Sequence, residues 1–202
     1  MILKRINLIC PALIIFLVCI QLIPEQIFAQ NQIKPFERIS IKMNYLSNVN
    51  RNFFHHFWEP EPGAELAVEF PFYVGKIGGG IQILPYKAKQ YPQVDFLSQF
   101  YYVAWGFNMP MIQPIVWKNE MKIGSYRMDF DDDQINVTQQ TESEIGIGIS
   151  SGLLLSLSTN WQIKGRVEYI KVYTKKRLEL VFISAGFCFE FDTPDWLQDF
   201  LR

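Results

Sequence analysis

The two histidines of this 202-residue chain are adjacent, in the aromatic run Asn52-Phe53-Phe54-His55-His56-Phe57-Trp58-Glu59. With Glu59 and Glu61 they offer the imidazole and carboxylate donors that hold a transition metal. Either imidazole is also a candidate base for a serine nucleophile such as Ser47 or Ser98. The spacing argues against both chemistries. Neighbouring side chains point apart in an extended chain, no third ligand stands at metal-site spacing, and no motif joins a serine to either histidine. Asp131, Asp132 and Asp133 form an acidic cluster without the glycine and distal glutamate of a calcium loop, so it reads as a solvated turn. Cys188 reads as a small filler residue. The expectation is no metal, no cofactor and no catalytic site, with a loop around His55 and His56 that packs on itself, touches lipopolysaccharide or binds a partner.

The elements that must carry these residues begin after an export signal. Lys4 and Arg5 precede an apolar stretch from Leu8 to Ile20, and a more polar stretch ends at Ile27-Phe28-Ala29. Residues 1–29 read as a secretory signal peptide cut after Ala29, the apolar run falling short of the roughly 20 residues of a membrane helix. Cleavage would leave Cys188 as the single cysteine, so neither a disulfide framework nor a cysteine metal cluster is available. The net charge of -1 argues against general nucleic-acid binding. Aromatic residues make up 15% of the chain, rich for a soluble domain, while the mean hydropathy of +0.05 is far below that of a helical membrane protein.

Period-two alternation dominates the chain beyond the leader. Eight segments show it: 38–45, 65–72, 76–83, 99–108, 117–127, 144–155, 161–169 and 181–191. One face of each is bulky and apolar, as in Ile145, Ile147, Ile149, Leu153 and Leu155. The other is polar and small, as in Glu144, Gly146, Gly148, Ser150 and Gly152. Connections alternate between short turns and longer polar loops. Bulky apolar faces, small residues on the polar face and long strands favour a closed barrel in lipid, apolar outside, over a soluble sandwich or lipocalin-like barrel. The predicted fold is all-β: an antiparallel up-and-down transmembrane barrel of about eight strands over residues 36–191. Residues 30–35 form an N-terminal periplasmic segment. Asn119 breaks the parity, so either it lies near the interface or a bulge shifts the register there.

Parity sends a set of charges inward. The cations are Arg38, Lys42, Lys76, Lys118, Lys122, Lys164 and Arg166; the anions are Glu65, Glu69, Glu120, Glu144, Glu168 and Glu190. Eight strands leave room only for side chains, so these charges are expected to interlock and plug the lumen. Arg166 is placed at the centre because a planar guanidinium bridges two carboxylates.

The segment Ser184-Ala185-Gly186-Phe187-Cys188-Phe189-Glu190-Phe191 resembles the last-strand signal of outer-membrane barrels, through Ser184, Gly186, Phe189 and Phe191. With the leader and the eight-strand layout, the mature chain is similar to the small outer-membrane β-barrel families. The resemblance implies a cell outer-membrane location with both termini periplasmic, contact with outer-membrane lipid and lipopolysaccharide, and insertion by the barrel-assembly machinery. Residues 192–202 depart from it, because many such chains end at the signal. Trp196, Leu197, Phe200 and Leu201 stand at helical spacing there, which predicts a short amphipathic helix that lies on the inner leaflet or barrel mouth, or docks a partner. The expected function is a structural, anchoring or interaction barrel with a plugged lumen, its partners at exposed loops or the tail. The alternative is a lipid A-modifying hydrolase.

Overall fold

The computed structural model describes residues 35–131, 141–174 and 178–201. The proposed leader, Asp132, Asp133 and the run 175–177 lie outside the described residues.

The alternating segments form strands β1 (Arg38–Asn48), β2 (Trp58–Pro60), β3 (Gly63–Pro71), β4 (Lys76–Ala88), β5 (Phe96–Ile112), β6 (Ile115–Phe130), β7 (Thr141–Ser156), β8 (Trp161–Val172) and β9 (Leu178–Asp192). A short helix, α1 (Asp195–Leu201), follows. Each long strand pairs antiparallel with its sequence neighbour, and β9 returns to β1 from Arg38↔Asp192 to Asn48↔Phe182. That last pairing closes a ring of eight. β2 stands outside the ring, added to the far end of β4. Closure pairs both edges of all eight ring strands, which lipid demands because it offers the backbone no partners. Among the described residues no helix is long and apolar enough to cross a membrane.

The outer surface carries the apolar parity: Met43, Val103, Ile123, Ile145, Val167 and Phe187 are all exposed. Three short turns lie at the end where the ring's first and last residues, Arg38 and Asp192, meet. In the β3–β4 turn Gly75 adopts φ 86°, and a Cβ there would stand 2.3 Å from the Gly106 carbonyl oxygen, so glycine is required. Longer connections occupy the opposite, loop end.

The structure decides between the two readings of Asn119 and lengthens the strands. No bulge accompanies Asn119: its pairings with Phe107 and Ser151 are in continuous register, and the only shift between β5 and β6 falls at Pro110/Ile112. Asn119 instead belongs to a polar outward patch near the turn end, where Trp117 Nε1 donates to Ser151 Oγ at 2.8 Å. The strands also run further toward the loop end than alternation suggests. The inner face there is apolar (Leu84, Tyr86, Phe96, Ile170, Leu180, Phe182), so the polar–apolar contrast disappears while the pleat continues. The lumen therefore has two storeys, ionic toward the turns and aromatic–aliphatic toward the loops.

Candidate functional site

The ionic storey is built from inward positions of seven strands. Arg166 on β8 reaches Glu65 at 2.6 Å, Glu168 at 2.7 Å and Glu120 at 3.5 Å. Lys122 on β6 bridges the same Glu65 at 2.6 Å and Glu168 at 2.7 Å, with its ammonium 4.1 Å from the Tyr102 ring centroid. Lower down, Lys42 holds Glu69 at 2.8 Å and Glu120 at 3.3 Å, while Lys118 pairs with Glu69 and, at 3.1 Å, with Glu120. At the turn end Glu190 takes Lys76 at 2.6 Å, Ser40 Oγ at 2.9 Å and Arg38 at 3.7 Å. Ser40 and three further neutral groups were left out by sequence reasoning: Gln82 donates to Glu65 at 3.1 Å and Glu168 at 2.9 Å, and Tyr102 and Asn44 donate to Glu65. Their signal was the inward parity of any polar residue, charged or not.

Two expected members stand apart. Lys164 is buried, but its ammonium has no hydrogen-bond partner or ion pair among the described residues. Its lateral neighbours on the inner wall are Leu154 and Gly186, and no carboxylate across the lumen comes within ion-pair distance of it among the described residues. Glu144 shares the inward parity but sits near the loop end of β7, beside Tyr126 and beyond the start of β8 pairing at Gly146↔Val172. No ion-pair partner reaches it among the described residues. Cys188 is buried on the inner wall between Lys42 and Gln162. In the last strand, Ser184 and Gly186 face in. Phe189 and Phe191 face out, where Phe189 packs on Trp161 with ring centroids 4.9 Å apart.

The loop end is built by the β1–β3 connection. Asn52 caps a single 3-10 turn, Phe53–His56, accepting the Phe54 N–H at 3.0 Å while its own N–H points to His55 Nδ1 at 3.2 Å. His55 is buried and its Nε2 lies 2.8 Å from Asn48 Oδ1, so both ring nitrogens hold the loop in place. Burial, aided by the nearby Arg51 and Lys89 cations, pulls the His55 pKa below its usual value. Asn50 and Asn52 donate to the Glu179 carbonyl at 2.9 and 2.6 Å, tying the loop to β9. Trp58 Nε1 donates to the Val94 carbonyl at 2.9 Å, tying it to the β4–β5 connection. Trp58 in turn stacks on Phe54 with centroids 5.0 Å apart. Beneath this loop opens a cavity of about 720 Å³, lined by Phe54, Trp58, Phe96 and Phe130 and by β7 from Thr141 to Glu144. Among the described residues no cluster of three or more His, Cys, Asp or Glu is gathered for a metal, and Ser98 Oγ donates to the Leu84 carbonyl inside the barrel, away from both histidines.

No protein-family model matches this chain, and no curated protein matches it by sequence. Solved structures do resemble it. Neisserial surface protein A shares 13% identity over 76% of this chain and 97% of its own, with a TM-score of 0.57. Ail, the attachment invasion locus protein of Yersinia pestis, solved in complex with the heparin analogue sucrose octasulfate, shares 13% identity over 77% of this chain and 99% of its own, at 0.50. At such identity the likeness is one of fold, and the fold is that of the small eight-stranded outer-membrane β-barrels.

Proposed function

We propose that this chain is a non-conducting barrel of the outer membrane whose work is done at its loop end, as an anchored recognition module. The observation that carries the proposal is the contrast between its two ends. The turn-side lumen is filled by interlocked ion pairs, whereas the loop side carries a braced aromatic loop over an open cavity. Both termini then lie in the periplasm, with the short turns, and the loops face outward beside lipopolysaccharide. The export leader and the last-strand signal support delivery through the barrel-assembly machinery. Ail's recorded complex with a heparin analogue shows that a barrel of this fold can receive a ligand. A catalytic role has less support: the ring nitrogens of His55 are engaged by Asn48 and Asn52, not by a nucleophilic hydroxyl.

Single cysteines test the orientation. Tyr91→Cys in the β4–β5 connection should react with a membrane-impermeant maleimide on intact cells, and Tyr73→Cys in the β3–β4 turn only after the outer membrane is permeabilised. The reverse pattern would refute the outward-facing loop end. Incubation with lipopolysaccharide should leave the mass of lipid A unchanged; a change lost in His55→Ala/His56→Ala would establish the hydrolase instead.

A further inference from the structure

The loop-end cavity has a chemical polarity that selects a ligand class. Its 720 Å³ lies within the range of roughly 300–1,000 Å³ typical of small-molecule sites. The aromatic residues of the β1–β3 loop pack on β4 and β5, through Tyr86 and Phe96, and line the same cavity as the end of β7. The aromatic wall is preorganised: Phe54 stacks on Trp58, and Trp58 packs edge-on against Phe96 at 5.7 Å. The β7 wall carries Glu142 and Glu144, both at inward parity and neither with an ion-pair partner among the described residues. A third carboxylate of the lining, Glu179, is met by Lys171 at 3.8 Å. No Lys or Arg lines the cavity among the described residues.

From this geometry we infer that the cavity binds an organic ammonium ion with an apolar, ring-sized body. The body lies against Phe54 and Trp58, whose π-faces attract a cation, and the ammonium hydrogens donate to Glu142 and Glu144. Solvent-exposed carboxylates alone would hold such an ion weakly. The aromatic wall supplies the burial, and the carboxylates supply the choice of charge. The inference rests on the loop end being the working face, and it adds what is recognised there.

The test uses the folded chain in nanodiscs of zwitterionic lipid at pH 7, with empty discs as the blank. Three probes share one body: 4-phenylbutylammonium, 4-phenylbutanol and 4-phenylbutyrate. Calorimetry should show the ammonium binding about tenfold more tightly than the carboxylate, a difference of about 1.4 kcal/mol. Glu142→Gln/Glu144→Gln should abolish that preference while leaving the alcohol unchanged. Phe54→Ala should weaken all three probes, in a preparation whose heat-modifiable gel mobility shows a folded barrel. Binding of no probe would remove the site without touching the plugged-barrel reading, which conductance tests separately. Equal or tighter binding of the carboxylate would overturn the ammonium assignment. So would a preference that survives the double substitution.

Discussion

Glu65 is the hub of the lumen. It receives five donors, from Asn44, Gln82, Tyr102, Lys122 and Arg166. A carboxylate so placed is stabilised only while its partners remain, because removing one member of a buried pair strands the other charge. Arg166→Ala should therefore destabilise the barrel by about 3–5 kcal/mol, read as an earlier urea unfolding midpoint in lipid vesicles. Lys164→Met should act in the opposite direction, since it replaces a buried, unpaired cation with an apolar group of similar length. A large loss of stability in Lys164→Met would show that this ammonium has a partner after all. His55 supplies a pH test. Its folded pKa is depressed, so the folded loop favours the neutral ring; this stabilisation is present above the unfolded value near 6.5 and is lost as pH falls through the folded pKa. In a His56→Gln background the His55 ring resonances should titrate below 6.5, and a midpoint at or above 6.5 would contradict the buried, doubly held ring. Which charges face inward is legible in the sequence from parity alone. Which of them meet is not: Lys164 and Glu144 share the inward parity of Arg166 and Glu168, and the pairs that form run across the lumen between strands that are not neighbours, as from Arg166 on β8 to Glu65 on β3.

The eight ring strands were readable as elements because lipid outside and charge inside give each a polar–apolar contrast. Their loop-end extensions were not, because Tyr86, Phe96 and Leu180 make the inner face as apolar as the outer. The β1–β3 connection was readable as an aromatic loop that packs on itself, but its ties to the barrel were not, since they run to distant backbone groups, the carbonyls of Glu179 and Val94. Two glycines test strand packing directly. A Cβ on Gly186 would stand 2.1 Å from the Met43 carbonyl oxygen, at the β1–β9 pairing that closes the ring, whereas a Cβ on Gly165 would meet nothing within 4 Å. Gly186→Ala should lower the yield of heat-modifiable, folded barrel, and Gly165→Ala should leave it unchanged. Equal yields for the two would mean that the β1–β9 approach has room to give. At the tail, α1 leaves Trp196 70% and Phe200 81% exposed, one helical turn apart. That pair suits a membrane interface.

At the scale of the whole molecule, the barrel divides its interior by task. Ion pairs occupy the turn-side storey, aromatic and aliphatic side chains the storey above, and the cavity lies at the loop end. An eight-stranded ring has little interior beyond its side chains, and here those side chains are bound to one another across the lumen. On the proposed function this filling shuts the barrel and leaves recognition at the surface as its work. Planar-bilayer recording of the unmodified protein tests that closure most directly. No steady conductance is expected, and none in Arg166→Ala beyond irregular leak; stable, ion-selective openings from the unmodified protein would contradict a closed lumen and make transport the function.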